Sequence, residues 1–540
     1  MFALLIPLSA FFLVLHVRAE NLSLLKLNGP STLPSMTSHR LSPALASFSI
    51  ETAFFVEFVG NTTEPNLLTR HLLDNLKART GVPAEIRIGG ITADSTYWNA
   101  SLLDTPLFNA IDKNGALQNT TIGPLFWDSV KLLPEGTNVI MNLDLQDLDF
   151  EGALAVAKST VQGLPASQLL GFEIGNEPDH YLRFTPQNYS SIWGTWSRNI
   201  TNALGLSAPM FQIAATAEDP LFPFNTPTAN SQLDCVSALA AGANAGNTVM
   251  SCSEHTYQYS VCDPPRIAVA TLPNLVNHTR LGMYLDLWQP RIHAVREQLG
   301  PDSFVVGEYN SVSCSGRDGV SNTFGQALWL LDTTLYAASL NVSRMFIHQG
   351  GPLALQSSVQ LNHGGLSFYD LWYPVENQNG PVKVFPSYAS YLFVAEALGH
   401  SKTMRIANIY PGRQANGSTI TTGGGDASAG QLVAYGFWDE SLPSATRTPI
   451  KLALINMQIF NHTQTEQRPS TSFDISAFTR GPVTVRRLQA PGADIKDANV
   501  TVWAGQTFEN GLAKGRLREE RITGGKIVVP ASEAVLVTLQ

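Results

Sequence analysis

Short apolar runs recur along the first 350 residues with the length and composition of buried strands. Segments with helical spacing of apolar residues lie between them, as in 66–79, 153–161, 189–203, 283–298 and 324–339. The alternation predicts a parallel sheet, and eight repeats of it predict an α/β fold of the (β/α)8 barrel type. The predicted strands are 48–59 (either one strand or a broken one), 85–89, 138–145, 169–175, 211–216, 248–259, 304–309 and 344–349.

The pattern changes after 388–398, which is interpreted as the last barrel helix. Runs of β type follow at 432–438, 450–455, 483–488, 499–502 and 526–537, separated by Gly, Pro and Asn, which is typical of an antiparallel β-sandwich. The short run 22–27 is a candidate for an added strand of this sandwich. We therefore expect a signal peptide at 1–19, an N-terminal segment at 20–45, the barrel at 46–400 and the sandwich at 401–540.

Composition narrows the functional classes. Charged residues make up only 14% of the chain and hydrophobic ones 44%, which excludes a mainly disordered protein. The net charge of −9, with no run rich in Lys or Arg, argues against nucleic acid as a partner and against general attraction to polyanions.

The N-terminus is typical of an exported protein. An apolar run ends with Val17 and Ala19 at the −3 and −1 positions of a cleavage site before Glu20; an uncleaved membrane anchor is the alternative reading. Later segments are too short or too polar to span a bilayer. Eleven glycosylation sequons also indicate a secreted, extracellular glycoprotein. They are at Asn21, Asn61, Asn99, Asn119, Asn188, Asn199, Asn277, Asn341, Asn416, Asn461 and Asn499.

The four cysteines are Cys235, Cys252, Cys262 and Cys314, and in an exported chain we expect them to form disulfides. Three connectivities are open. If Cys262 and Cys314 follow the adjacent sixth and seventh barrel strands they can bridge, leaving Cys235 with Cys252; buried thiols are the alternative. Their spacing resembles no zinc site, and we expect neither a metal nor an organic cofactor.

Two glutamates end predicted barrel strands. Glu177 closes Gly171-Phe-Glu-Ile-Gly-Asn-Glu-Pro178, and Glu308 lies in Phe304-Val-Val-Gly-Glu-Tyr-Asn310. The carboxyl ends of the strands are where an eight-stranded barrel carries its chemistry. Hydrolysis of a glycosidic bond requires a proton donor and an electron-pair donor, which two carboxyl groups supply. The pair predicts a glycosidase with Glu177 as acid/base and Glu308 as nucleophile, and Asn176 is placed to bond a sugar hydroxyl.

Five further residues are candidates for substrate contacts. Tyr257 ends the sixth strand and can hold Glu308 ionised by donating a hydrogen bond. His255 is interpreted as a structural or substrate-contact residue, since no metal-ligand partners accompany it. Arg87 either pairs with a catalytic carboxylate or binds backbone carbonyls. Glu57 is either a sugar-hydroxyl acceptor or an exposed carboxylate, and Tyr373 is a candidate for lining a pocket after the eighth strand.

These motifs, together with Arg87-Ile-Gly-Gly90 and Ser253-Glu-His-Thr-Tyr257, resemble glycoside hydrolase family 79, the β-glucuronidases related to heparanase, and in particular fungal-type members with a C-terminal sandwich. The resemblance implies a retaining, exo-acting enzyme that releases glucuronic acid or its 4-O-methyl form from glycan ends. It implies the roles of Glu177 and Glu308 given above, and a bond from Asn176 to the sugar 2-hydroxyl.

The loop after Glu308 departs from the family pattern. Relatives hold the uronate carboxylate with a tyrosine and glycine amides there, whereas this chain has Ser311-Val-Ser-Cys-Ser-Gly316. Ser313, Gly316 and Tyr373 are the expected substitutes. Two other functions stay open, a neutral-sugar glycosidase of the same clan and a non-catalytic glycan-binding cell-wall glycoprotein. The sequence leaves the oligomeric state open.

Overall fold

The computed structural model describes residues 23–29, 33–113, 116–181, 184–207, 209–221, 226–351, 367–377, 380–410, 431–443 and 448–539. The predicted signal peptide, Asn21 and Asn416 lie outside these ranges. Strands of the N-terminal part are β1 (Ser23–Lys26), β2 (Ala46–Glu51), β3 (Ile86–Gly89), β4 (Thr96–Trp98), β5 (Leu107–Ile111), β6 (Leu117–Ile122), β7 (Val139–Leu143), β8 (Leu169–Ile174), β9 (Phe211–Thr216), β10 (Val249–Ser260), β11 (Phe304–Ser313) and β12 (Met345–Gln349).

Eight of these strands close into a parallel barrel in the order β2, β3, β7, β8, β9, β10, β11 and β12. Every residue of β7 is buried, because a barrel strand is covered by side chains inside and by helices outside. The predicted barrel is therefore confirmed. Strands β4, β5 and β6 form a separate three-stranded sheet between the second and third barrel strands.

The helices surround the barrel and carry the expected end signals. Asn66 caps one helix by accepting from the backbone of Thr69, and Gly81 ends it in the left-handed conformation. The helices are α1 (Phe55–Val59), α2 (Leu67–Thr80), α3 (Pro124–Val130), α4 (Phe150–Gly163), α5 (Pro186–Leu204), α6 (Pro227–Asn230), α7 (Cys235–Ala240), α8 (Pro264–Ile267), α9 (Leu272–Leu275), α10 (His278–Leu285), α11 (Gln289–Leu299), α12 (Phe324–Ser339) and α13 (Tyr388–Leu398).

The remaining strands are β13 (Trp372–Tyr373), β14 (Lys383–Val384), β15 (Met404–Asn408), β16 (Leu432–Asp439), β17 (Lys451–Asn456), β18 (Ser470–Asp474), β19 (Val483–Gln489), β20 (Val502–Trp503), β21 (Glu520–Ile522), β22 (Lys526–Pro530) and β23 (Glu533–Thr538). Those from β15 onward build a seven-stranded antiparallel sheet and a second sheet of β1, β18 and β22. The two sheets share a core that includes Leu27, Leu454, Phe473 and Val535. Strand β1 pairs in parallel with β18, so the N-terminal segment joins the C-terminal domain.

Four details differ from the sequence-based predictions. The predicted β run 499–502 is a 3-10 helix (Ala498–Val500) followed by the short strand β20. The first barrel strand ends at Glu51, and the rest of the predicted run 48–59 is helical. The predicted run 526–537 is two strands, β22 and β23. The predicted helix 283–298 is split between α10 and α11, where Pro290 at the start of α11 cannot donate a backbone hydrogen bond.

The cysteines form two disulfides, Cys235–Cys252 and Cys262–Cys314. The sequon at Asn277 is a correction to the predicted glycosylation sites. Asn277 is 1% exposed and its side chain caps α10, so its amide is inaccessible in the folded chain. No helix among the described residues combines the length and the apolar character that a bilayer span requires.

Candidate active site

The site is built on a buried arginine at the carboxyl end of the barrel. Arg87 on β3 is 0% exposed, and its guanidinium donates to Glu173 Oε1 at 2.7 Å and to Glu308 Oε2 at 2.9 Å. It also donates to Asn176 Oδ1 at 2.8 Å and to Ser49 Oγ at 2.9 Å. Of the two readings of Arg87, the structure supports pairing with carboxylates.

Glu173 forms a buried ion pair with this arginine. It is fully buried on β8 and accepts from Asn142 Nδ2 at 2.8 Å and from Gln212 Nε2 at 2.7 Å. A buried charge pair is retained at low cost only when its remaining polar atoms are bonded, as they are here. Arg87 is therefore fixed in one position, and it fixes Glu308 and Asn176 in turn.

Glu308 lies on β11 where the ladder to β12 is irregular, between Val306 and Tyr309. Such irregularities re-aim a side chain at a barrel rim. Its Oε1 accepts from the Tyr257 hydroxyl at 2.7 Å, and its side chain is 8% exposed. Burial raises the pKa of Glu308, but the positive charges of His348, His255 and Arg87 outweigh burial and hold the pKa below its ordinary value.

Glu177 follows β8 in a left-handed backbone conformation, with φ 51° and ψ 51°. Its amide donates to Ala215 O at 2.9 Å, which holds a conformation that costs an L-residue about 1–2 kcal/mol. Its Oε1 lies 3.0 Å from His255 Nδ1, and its Oε2 lies 3.5 Å from His180 Nδ1. Its side chain is 21% exposed, and it reaches the solvent-filled side of the site.

Histidines determine the ionisation of Glu177. Burial raises its pKa, but hydrogen bonds with His180 and His255 reverse this effect and lower it below its ordinary value. The same contact with Glu177 raises the pKa of His180 to about 9. His180, 3.5 Å away, is therefore placed to exchange a proton with Glu177.

A second carboxylate–histidine pair lies beside Glu308. His348 Nδ1 is 3.6 Å from Glu308 Oε2, and His348 Nε2 is 3.3 Å from Glu51 Oε1. Burial lowers the pKa of His348, but Glu308 and Glu51 raise it more, so the pKa lies above its ordinary value. Sequence analysis missed both residues. Each lies at the end of a barrel strand. Glu308 was selected because it is a carboxylate at a strand end, and a correct end for the first strand would have selected Glu51 in the same way.

A cavity of about 550 Å³ opens above these groups. Of the residues selected from the sequence, Glu177, Glu308, Asn176, Tyr257 and Ser313 line it. Cavity residues that the sequence analysis did not select include Glu51, Ile91, His180, Glu218, Asp219, Arg266, His348 and Tyr369.

Five selected residues lie elsewhere. His255 and Arg87 are buried behind the cavity wall, where they contact its carboxylates. Glu57 lies on α1 and accepts from the Tyr373 hydroxyl at 3.5 Å, so these two residues contact each other and do not line the cavity. Gly316 has φ +82°, and a Cβ there would lie 2.9 Å from the Tyr369 amide; it serves close packing.

Glu177, His255 and Glu308 offer ligand atoms that all lie within 4.8 Å of one another. A divalent cation prefers such a carboxylate-rich set when its charge is uncompensated. Here the guanidinium of Arg87 already compensates Glu308, and His180 already contacts Glu177. The donor set therefore fits proton and nucleophile chemistry better than metal binding.

Comparisons with known proteins agree with this geometry. Residues 434–536 match the sequence model of the glycosyl hydrolase family 79 C-terminal beta domain. A β-glucuronidase of Aspergillus niger is 27% identical over 525 residues, covering 91% of this chain and 87% of that protein. A β-glucuronidase of Neurospora crassa is 26% identical over 522 residues, covering 89% and 87%.

Solved structures share the fold. A 4-O-α-L-rhamnosyl-β-D-glucuronidase from Fusarium oxysporum superposes with a TM-score of 0.75 at 24% identity, covering 95% of this chain and 100% of that one. A family 51 arabinofuranosidase from Xanthomonas axonopodis gives 0.60 at 12% identity, covering 95% and 100%. The match of its C-terminal domain to the family 79 domain model, and its sequence similarity to two β-glucuronidases over about nine-tenths of the chain, show that this protein is a glycoside hydrolase similar to the β-glucuronidases of family 79.

Proposed function

We propose that the chain is a secreted, retaining, exo-acting β-glucuronidase that releases glucuronic acid, or its 4-O-methyl form, from glycan non-reducing ends. The observation that carries the mechanism is the separation of the two carboxylates, since an oxygen of Glu177 lies within 4.8 Å of an oxygen of Glu308. Retaining glycosidases hold their carboxyl groups about 5–5.5 Å apart, whereas inverting ones need about 6.5–9.5 Å for an intervening water. The short separation supports direct attack by Glu308.

In the first step, an oxygen of Glu308 bonds to the anomeric carbon while the bond to the leaving oxygen breaks and Glu177 supplies that oxygen with a proton. Arg87 and Tyr257 keep Glu308 anionic and aimed for this attack. Asn176 accepts from Arg87 through Oδ1, which leaves its Nδ2 to donate to the sugar 2-hydroxyl.

In the second step, water gives a proton to Glu177 and attacks the same carbon, which releases Glu308. The charge of Glu177 raises the pKa of Glu308 by repulsion, and because repulsion acts equally on both partners, the charge of Glu308 opposes ionisation of Glu177. Esterification of Glu308 removes this repulsion and lowers the pKa of Glu177. The acid of the first step thereby becomes the base of the second.

The substrate class and the compartment are supported by different observations. The two fungal relatives are β-glucuronidases, which supports a glucuronide substrate. A cavity of about 550 Å³ suits a terminal sugar and its immediate neighbour, which supports exo-action. Two disulfides, together with the apolar N-terminus, support an oxidising, extracellular location.

Initial rates on a chromogenic β-glucuronide and the matching β-glucoside test the proposal, with wild type, Glu308→Gln and Glu57→Gln compared. We expect a strong glucuronide preference that Glu308→Gln abolishes by several orders of magnitude in kcat. Glu57→Gln is the matched control, because its carboxylate lies outside the cavity, and it should retain activity. The anomeric configuration of the first-formed product, followed by proton NMR, should be β.

Each alternative has its own outcome. Preference for the glucoside would keep the carboxylate mechanism and identify a neutral-sugar glycosidase. An α-configured first product would contradict the retaining mechanism. Folded wild type that turns over neither substrate would favour a glycan-binding glycoprotein.

A further inference from the structure

The cavity presents an electrostatic problem to a uronic acid. Among the described residues, five carboxylates line it, and the ligand of the proposed function brings a sixth. They are Glu51, Glu177, Glu218, Asp219 and Glu308. Like charges a few ångströms apart repel strongly at the effective dielectric constant of a protein surface. A uronate therefore requires a positive group that is not already neutralised by these side chains.

Two of the three basic residues that line the cavity are already paired. His348 lies between Glu51 and Glu308, at 3.3 and 3.6 Å. His180 contacts Glu177 at 3.5 Å. Their charges offset the catalytic carboxylates and are not available to a ligand.

Arg266 is the third, and it forms no ion pair of this kind, although its charge opposes the rise that burial causes in the pKa of Asp219. Within the described ranges, its guanidinium has no carboxylate oxygen within 4.0 Å. One of its terminal nitrogens donates to the backbone carbonyl of Tyr257. Since a guanidinium has five donors, most of them remain available to a ligand in the cavity.

Arg266 is also held in place. It lies on α8, four residues after Cys262, whose disulfide to Cys314 joins the segments that follow β10 and β11. On the other side of α8, Arg317 Nη1 donates to Ile267 O and Ala270 O, both at 2.8 Å. A fixed cation binds a ligand more tightly than a mobile one, because less conformational entropy is lost.

A hydroxyl lies on the same side of the cavity. Strands β10 and β11 run beyond Glu308 until Ser260 pairs with Ser313, and Ser313 lines the cavity next to Cys314. We infer that the Arg266 guanidinium, with the Ser313 hydroxyl, binds the substrate's C6 carboxylate; this assignment rests on the proposed glucuronidase function. A neutral hexoside has only a hydroxymethyl group there and gains no charge-assisted bond.

The test compares kcat/KM for the β-glucuronide and the matching β-glucoside in wild type, Arg266→Gln, Arg266→Lys and Arg280→Gln. Loss of a charge-assisted hydrogen bond should lower kcat/KM on the glucuronide roughly 10- to 100-fold in Arg266→Gln. The glucoside should change by less than about threefold, and Arg266→Lys should keep part of the preference, because lysine retains the charge without the planar fork. Arg280 is the matched control, since it contacts Tyr259 on the same strand but does not line the cavity.

The outcomes separate this assignment from the proposed function. An equal loss of kcat/KM on both substrates in Arg266→Gln would mean that Arg266 serves only to bind the Tyr257 carbonyl. An unchanged preference for the glucuronide would mean that the carboxylate binds elsewhere. Either result overturns the Arg266 assignment and leaves the proposed glucuronidase function standing. A wild type without glucuronide preference overturns both. If Arg266→Gln does not fold, the inhibition constants of free glucuronic acid and of glucose are measured for Arg266→Lys and wild type. Weaker inhibition of the lysine variant by glucuronic acid, with inhibition by glucose unchanged, supports the assignment. Equal inhibition constants for glucuronic acid in the lysine variant and in wild type overturn it.

Discussion

The hydrogen bond from Tyr257 to Glu308 gives a prediction whose size follows from the geometry. The hydroxyl lies 2.7 Å from Oε1, and burial holds the pKa of Tyr257 well above its ordinary value, so it donates throughout any assay range. Tyr257→Phe removes this donor and leaves the ring. A hydrogen bond to a charged group contributes about 1.5–3 kcal/mol, and one pKa unit corresponds to about 1.36 kcal/mol. The pKa of Glu308 should therefore rise by about 1–2 units.

The assay is the pH dependence of kcat/KM on a chromogenic β-glucuronide. Glu308 must be ionised to attack, so activity is present above its folded-state pKa and is lost as the pH falls through it. A higher pKa moves this acid limb to higher pH, by about 1–2 units in Tyr257→Phe. The substrate's own ionisation is the same for both enzymes and cancels in the difference.

Tyr259→Phe is the matched control. Tyr259 lies on the same strand, but its hydroxyl donates to Asn274 O at 2.8 Å, away from Glu308. Its acid limb should coincide with that of wild type. An unmoved limb in Tyr257→Phe, or an equal shift in both variants, would refute the reasoning that Tyr257 stabilises the charge of the nucleophile.

Three further predictions concern the surroundings of the site. Arg87→Met leaves buried carboxylates unpaired and should lower the free energy of unfolding by about 3–5 kcal/mol, measured by urea denaturation; an unchanged midpoint would contradict this. The proton that His180 and Glu177 share should be lost near pH 9, so kcat/KM of wild type should fall as the pH rises through about 9. In His180→Gln the same fall in kcat/KM should occur at lower pH. An alkaline limb at the same pH in both enzymes would contradict the shared proton. Replacing Cys262 and Cys314 by serine should lower the free energy of unfolding by about 4 kcal/mol, because the bridge closes a loop spanning 52 residues in the unfolded chain. Calorimetry with and without reductant measures this loss. Reductant should have no effect at this bridge in the serine variant.

The order of the barrel strands and the positions of both proposed catalytic carboxylates were predictable from the sequence. Parallel barrel strands are buried on both faces, so they form continuous apolar runs that are visible without any structure. Because all eight strands point the same way, their carboxyl ends meet at one rim, and a polar residue that ends such a run is placed there by the topology alone. Glu177 and Glu308 were found on this basis.

Membership of the cavity was decided by the tertiary structure. Whether a side chain at the rim points inward depends on strand ends and ladder irregularities, such as those at Glu254 and beside Glu308, and on how the loops pack. The first strand ends at Glu51, so Glu57 does not lie at its carboxyl end and instead contacts Tyr373. Among the described residues after the eighth strand, the aromatic residue that lines the cavity is Tyr369.

The difference has one physical cause. The periodicity of apolar residues along a strand is a local property, because it depends on residues that are neighbours in the sequence. The charge balance of the site is not local, because Arg87 on β3 binds residues from three other barrel strands or their ends, and Arg266 lies on a segment tied to the next one by a disulfide. The sequence by itself determined the barrel and the two glutamates; the fold decided which neighbours set their ionisation and which cations line the cavity.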